Sequence, residues 1–273
     1  AVSLYSSRES IVRRLLLVLL LGFGGLGFGL FLIAESLQTP MNLPQSGVTI
    51  TVEPGESLKQ TLRKLKALGL LESGRTLEIW ARWQGIDRQI HAGEYQLQAG
   101  ITGVGFLDLL KRGEVLSYQV TLPEGITLQQ ALDRLHGDNR LLQKLKNAQD
   151  PKLLDLVLPS SSPEGWFLPE TYRFVAGDSD FDILQRAHKL MERALMQAWD
   201  KRSVDTPLLA PYDALILASI VERETSVAQE RATIAGVFAR RLKAGMRLQT
   251  DPTVIYGLGT EFDGNLTRRH LKD

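Results

Sequence analysis

Between Leu15 and Ala34 the sequence runs for twenty residues without a charged side chain, built mostly from Leu, Gly, Phe and Val. A helix rises about 1.5 Å per residue, so this run spans roughly 30 Å, the hydrocarbon thickness of a bilayer. Its five glycines (Gly22, Gly24, Gly25, Gly27, Gly29) would weaken a soluble helix but are common in membrane spans. The competing reading is a cleaved signal peptide. Such a peptide usually has an apolar region of about 7–15 residues and ends at a small-x-small site, which Ala34-Glu35-Ser36 imitates poorly. The run therefore predicts a single transmembrane helix over 15–34. Arg8, Arg13 and Arg14 precede it, and the next basic residue is Lys59. The positive-inside rule then leaves residues 1–14 in the cytoplasm and places the rest outside. In a bacterium that means an inner-membrane anchor with its body in the periplasm or on the outer face.

Composition narrows the chemistry. With 32 Lys and Arg against 31 Asp and Glu in 273 residues, the chain lacks the basic surplus that binding nucleic acid requires. It has no Cys, which removes disulfide scaffolds, thiolate nucleophiles and sulfur-ligated metals. The four histidines (His91, His136, His188, His270) lie far apart with no metal-ligand spacing. No metal and no cofactor is expected.

After the span, residues 35–47 carry Pro40, Asn42, Pro44 and Ser46 and read as a linker. Val48–Val52 alternates as a strand does, Pro54-Gly55 makes a turn, and Ser57 is placed to cap a helix with Leu58, Leu62, Leu65 and Leu68 on one face. The pattern returns seventy residues later, with a strand at Gln119–Leu122, a turn at Gly125 and a cap at Thr127. Leu128, Gln130, Leu132 and Leu135 then match Leu58, Gln60, Leu62 and Leu65. A fainter copy runs through Tyr95–Leu97, Thr102, Leu107 and Leu110. Common capping sequences can also produce such likeness by chance. Either way, residues 48–118 predict a compact α+β module, and 119–273 a mainly helical domain with some strands. Asp180–Trp199 is an amphipathic helix. Asp213–Glu224 is apolar until Glu222, and a further helix runs from about Ala228 to Ala244.

A carboxylate ending a buried helix suits general acid work, because desolvation keeps it protonated. Glu222 and Glu224 are about 200° apart around a helix, so one cleft cannot easily take both. Glu224 stacks above Ile216, Leu217, Ile220 and Val221, so burial favours it over Glu222. Most glutamates in a last helical turn are nevertheless solvated surface groups. In the loop that follows, Gln249, Thr250, Asp251 and Tyr256 suit hydrogen bonding to a sugar or peptide. The same residues equally fit a capped turn, with Asp251 as N-cap before Pro252.

Three segments carry a resemblance. Ala218-Ser219-Ile220-Val221-Glu222-Arg223-Glu224-Thr225, Arg231 through Leu242, and the run Gly245-Met246-Arg247-Leu248-Gln249-Thr250-Asp251-Pro252-Thr253-Val254-Ile255-Tyr256-Gly257 resemble the YceG-like family. Glu164-Gly165-Trp166-Phe167-Leu168-Pro169-Glu170-Thr171-Tyr172 is a second match, and the anchor with a LysM-like module is a third. The resemblance covers nearly the whole chain. It implies a membrane-anchored enzyme that cuts peptidoglycan glycan strands internally, between N-acetylmuramic acid and N-acetylglucosamine, leaving 1,6-anhydromuramyl ends. It places the catalytic glutamate on Glu224, which first protonates the leaving oxygen and then accepts the proton of the attacking 6-hydroxyl. It also suggests Glu164, Trp166, Glu170 and Tyr172 beside Phe167, with Gln249, Thr250, Asp251 and Tyr256, as substrate-binding residues, and peptidoglycan synthases as partners.

In the family pattern the catalytic domain continues past Tyr256-Gly257 through Tyr-Asn-Thr-Tyr and Gly-Leu-Pro-Pro segments that do not occur before Asp273, and the first residue is Ala1. The expectation is a trimmed chain with an incomplete catalytic domain. Two other readings stay open. One is a non-catalytic wall-binding scaffold that recruits glycan polymerases. The other is a hydrolytic muramidase using Asp251, Glu261 or Asp263 as its second carboxylate.

Overall fold

The computed structural model describes Glu35 and residues 37–270, and the expected membrane span, 15–34, lies outside the described residues. Among the described residues no helix is long and apolar enough to cross a membrane. Among the described residues the fold is mixed α and β, mostly helical with two small sheets. The chain divides into two units, one of residues up to Ser117 with Val175–Gly177, the other of Tyr118–Phe174 and Asp178–Asp273.

In the first unit, strand β1 (Val48–Val52) leads to helices α1 (Leu58–Ala67) and α2 (Arg75–Trp83). Strand β2 (Gly93–Leu97) and helix α3 (Gly103–Arg112) follow. The two strands pair antiparallel, Val48 opposite Leu97 and Ile50 opposite Tyr95. Period-two alternation turns Ile50, Val52, Tyr95 and Leu97 inward. They meet the stripe of α1, Leu58, Leu62 and Leu65, and that of α3, Phe106, Leu107 and Leu110. The caps are built as their residue types dictate. The Ser57 amide donates to Gln60 Oε1 at 2.8 Å, and Thr102 Oγ1 accepts from the Gly105 amide at 3.1 Å. The segment expected as a linker is partly built into this unit. Leu37 and Met41 are buried in its core, and the Met41 and Asn42 amides donate to the carbonyls of Ile101 and Leu70. The prolines and polar residues suggested a solvated tether, but two apolar side chains find a core within reach.

The second unit opens with β3 (Ser117–Leu122), which pairs with β4 (Glu170–Val175), and α4 (Leu128–His136). The Thr127 cap forms a full capping box. Its amide donates to Gln130 Oε1 at 2.9 Å, and its hydroxyl accepts from the Gln130 amide at 3.2 Å. Helix α5 (Pro151–Leu156) is short, and α6 (Asp180–Asp200), α7 (Pro211–Glu224), α8 (Ala228–Lys243) and α9 (Asp251–Leu258) complete the set. Leu128, Leu132 and Leu135 of α4 pack with Tyr172, Phe174, Ile183, Leu184 and Ala187. A smaller cluster joins Ile220 and Val221 of α7 to Phe238 of α8.

Residues 138–150, expected to be mostly helical, are irregular, and a buried carboxylate holds them. Asp180 has no solvent exposure. It accepts the Lys144 amide at 2.9 Å, the Leu145 amide at 3.1 Å and His136 Nε2 at 2.9 Å. Removing it leaves the buried Leu145 amide and the partly buried Lys144 amide without their acceptor, at about 1–3 kcal/mol for a fully buried donor and less for the other. Asp180→Ala is therefore expected to lower stability by about 3 kcal/mol, read as an earlier urea midpoint with an unchanged slope.

Candidate active site

Helix α7 starts at Pro211, which supplies no N–H where none is needed, and the Asp213 carboxylate accepts the Leu209 and Ala210 amides at 2.9 Å. It ends at Glu224. Thr225 then turns the chain into α8, donating its hydroxyl to Glu230 Oε2 at 2.7 Å and accepting the Val227 amide at 3.0 Å. Arg223 fastens this end of α7 to the turn before α4, donating to the Gly125 carbonyl at 3.3 Å.

The expectation that Glu224 is buried fails. The α7 face beneath it is covered only at Ile220 and Val221, while Ile216 stays 45% exposed and Glu224 itself is exposed. What separates the two glutamates is their partners. Arg231 Nη2 lies 3.0 Å from Glu222 Oε2 and 3.3 Å from Oε1, so Glu222 is neutralised by an ion pair. Glu224 makes no ion pair among the described residues and instead accepts the hydroxyl of Thr250 on Oε1.

Thr250 is 4% exposed and stands immediately before α9. It occupies the N-cap position expected for Asp251, which is exposed as the first residue of α9. Its hydroxyl makes no cap, because it is donated to Glu224. Gln249, at the bend, is exposed, and its Oε1 accepts from Arg241 Nη2 at 2.8 Å.

The far end of α9 carries Tyr256, which is 58% exposed and lies close enough to the Glu164 carboxylate for each to shift the other's titration. Glu164 also accepts the Leu128 amide, at 3.0 and 3.2 Å, at the first turn of α4. Burial pushes the Glu164 carboxyl up, while that amide and Tyr256 pull it down less strongly. Tyr256 is likewise raised by burial and by the nearby Glu164.

Trp166 lies flat on Tyr212, with ring centroids 5.3 Å apart and planes 4° apart, and meets His188 edge-on at 5.8 Å. Its Nε1 donates to Ser160 Oγ at 3.1 Å. His188 is buried on α6, with Nδ1 3.2 Å from the Trp166 carbonyl oxygen. Phe167 is half-buried against the second unit's core.

Two expected substrate contacts are placed elsewhere. Tyr172 is buried in the core and donates its hydroxyl to the Leu168 carbonyl at 2.5 Å, with burial pushing its pKa up to about 12. It alternates inward along β4 and supports the Trp166 loop from beneath. Glu170 is exposed at the start of β4 and accepts the amide of Thr171. Glu261 and Asp263 are exposed beyond α9, and Asp263 caps the Asn265 amide.

A groove of about 410 Å³ runs between α7 and α8, lined by Leu217, Ala218, Val221, Glu222, Arg231 and Ala235. It opens on the Glu222 side of α7. Among the described residues no three His, Asp or Glu side chains converge as metal ligands would. Sequence reading missed Tyr212 and His188. A tyrosine beside the initiating proline of an apolar helix, and a histidine within the apolar face of α6, were the available signals.

The YceG-like family model matches residues 50–273. The chain belongs to that family. An endolytic murein transglycosylase of Bacillus subtilis is 26% identical over 86% of this chain and 70% of its own length. One of Streptococcus pneumoniae is 25% identical over 91% of this chain, which spans only half of that protein. A yceG-like protein of Listeria monocytogenes, known from a crystal structure, is 25% identical, with a TM-score of 0.47 over 84% of this chain and 81% of that one. The segments that carry the resemblance in this YceG-like chain, Glu164–Tyr172, Ala218–Thr225, Arg231–Leu242 and Gly245–Gly257, all contribute residues to this site.

Because the folded state holds Glu164 above its ordinary value of 4.5, it binds more protons than the unfolded chain from that pH up to the raised value. Stability is highest below this window and falls as pH rises through it. In Glu164→Gln that fall is expected to vanish from a series of melting temperatures across the window. Parallel melting curves for the two proteins would show that Glu164 titrates normally.

Proposed function

We propose that this chain is a lytic transglycosylase acting inside peptidoglycan glycan strands. Glu224 is its acid and base. The observation that carries the reading is the donation of the Thr250 hydroxyl to Glu224 Oε1 while Arg231 occupies Glu222. One carboxylate is thereby left for chemistry, with one oxygen engaged and Oε2 left to carry a proton. The name borne by the relatives, endolytic murein transglycosylase, supports the same reaction class.

In this scheme the Glu224 carboxyl gives its proton to the glycosidic oxygen as the bond to C1 of N-acetylmuramic acid breaks through an oxocarbenium-like state. The resulting carboxylate takes the proton of the 6-hydroxyl as that oxygen bonds to C1. No water enters, and the acid is restored. Attack from within the same sugar supplies the effective molarity that a hydrolase obtains by activating water with a second carboxylate. The Trp166–Tyr212 stack forms an aromatic surface for a sugar ring, and the hydroxyl of Tyr256 and the exposed Asp251 supply polar edges. Residues 48–118, whose strand–helix–helix–strand order is LysM-like, hold a glycan strand. The segment 15–34 anchors the enzyme in the inner membrane with its N-terminus in the cytoplasm and its catalytic domain in the periplasm. There it trims or terminates nascent strands beside peptidoglycan synthases.

The test is digestion of purified sacculi with mass analysis of the products. Glu224→Gln is expected to reduce anhydromuramyl ends by about 10²–10⁴-fold. Glu222→Gln, which breaks only a half-exposed ion pair, is expected to stay within about three-fold of wild type. Reducing ends in place of anhydro ends would favour a hydrolase, and undiminished product from Glu224→Gln would exclude Glu224.

A further inference from the structure

Gln249 is the one non-glycine residue at positive φ among the described residues, at +53°. That left-handed conformation is costly for a side-chain-bearing residue, so something must hold it. The Gln249 side chain is held by Arg241 Nη2 at 2.8 Å. Arg241 is itself fixed in the last turn of α8. Its carbonyl accepts the Met246 amide at 2.9 Å, the Gly245 amide reaches the Leu242 carbonyl at 3.0 Å, and Gly245 takes φ +65°. This is the Schellman closure of a helix. Aiming the planar guanidinium at Gln249 also leaves Arg241 Nε buried without a partner, a second local cost.

Both costs fall within ten residues, directly before Thr250. A threonine at an N-cap position ordinarily turns its oxygen back to accept an amide of its own helix. Here Thr250 turns away and donates to Glu224, while its carbonyl accepts the Thr253 amide at 3.2 Å and the Thr253 hydroxyl at 2.7 Å. The direction of the Thr250 side chain follows from how the chain enters α9, and that entry is the strained bend at Gln249.

We infer that Arg241 and Gln249 are positioning residues. They lock the left-handed bend that aims the Thr250 hydroxyl at Glu224. The inference rests on Glu224 as proton donor, and it assigns the Gln249 carboxamide oxygen to Arg241 in place of a sugar. Displacement of a catalytic contact by about 1 Å can cost as much as 10²-fold in rate, so a loosened bend should appear in kcat and leave ground-state binding alone.

The experiment measures kcat and KM for the full chain on soluble, uncrosslinked glycan strands, with a melting temperature for each variant. Gln249→Leu and Arg241→Gln are each expected to lower kcat about ten-fold with KM within about two-fold, and the double variant to be no worse than the poorer single. Gln249→Glu keeps an acceptor for Arg241 and is expected to retain kcat. Gln249→Gly separates positioning from stability. It relieves the backbone strain, so its melting temperature should hold or rise while kcat falls. A raised KM with unchanged kcat in Gln249→Leu, additive with Arg241→Gln, would overturn the positioning role and make Gln249 a sugar contact. Wild-type kcat in both single variants would overturn it as well. A wild-type protein that releases no anhydromuramyl product would instead overturn the reading on which the inference rests.

Discussion

The hydrogen bond from Thr250 to Glu224 joins the last residue of one helix to the entry of another, and the proposed chemistry depends on it. Neither partner is special alone. Glu224 sits exposed at a helix end, where a glutamate is ordinarily a solvated surface group, and Thr250 is a buried threonine before a two-turn helix. Their contact requires the α7 end to be held, which Arg223 does at the Gly125 carbonyl and Thr225 does through Glu230 and the Val227 amide. It also requires the bend before α9 to be held, which Arg241 does through Gln249. Charge selects between the neighbouring glutamates, because Arg231 neutralises Glu222 and leaves Glu224 to a neutral donor.

The second tie between α9 and its surroundings, Tyr256 to Glu164, works through a different balance. A half-buried carboxylate is costly unless its oxygens are satisfied. Glu164 meets this requirement at the first amide of α4, with Tyr256 close by. Segments at least forty residues apart in sequence thus come together around one short helix, Glu224 at its start and Glu164 near its end. Behind them, His188 and Ser160 fix the orientation of Trp166, and Tyr172 holds the same loop from the core. An aromatic surface supported on three sides is pre-organised for the proposed sugar stacking.

Local chemistry was legible in the sequence where a few residues suffice to specify it. Thr127 caps its helix as expected and Ser57 stands at the expected N-cap without a side-chain cap bond, and the apolar periods of α1, α4 and α6 gave most of their buried faces, although Leu68 and Leu190 are exposed. Pairings over long separations were not legible. Nothing near Val48 indicates that its partner is Leu97, and nothing in residues 138–150 indicates that Asp180 will hold them in place of helical hydrogen bonds. The candidate site divides along the same line. Glu224 was reached through its apolar neighbours, yet those neighbours are only partly covered, and a burial argument made from one helix cannot see what packs against it. The ion pair with Arg231 and the donor from Thr250, which distinguish Glu224 from Glu222, come from residues 9 and 26 positions away. The resemblance suggested Tyr172 as a sugar wall, but the alternation of β4 turned it inward.

The central claim is that one carboxylate serves as acid and base while the substrate's own hydroxyl displaces the leaving group. Digestion of sacculi in heavy-oxygen water, with mass analysis of the new muramyl ends, tests it most directly. The account predicts ends lighter than the hydrolytic product by one water and free of the heavy isotope. Reducing ends that carry one heavy oxygen at C1 would contradict it, and would require a second group to activate water.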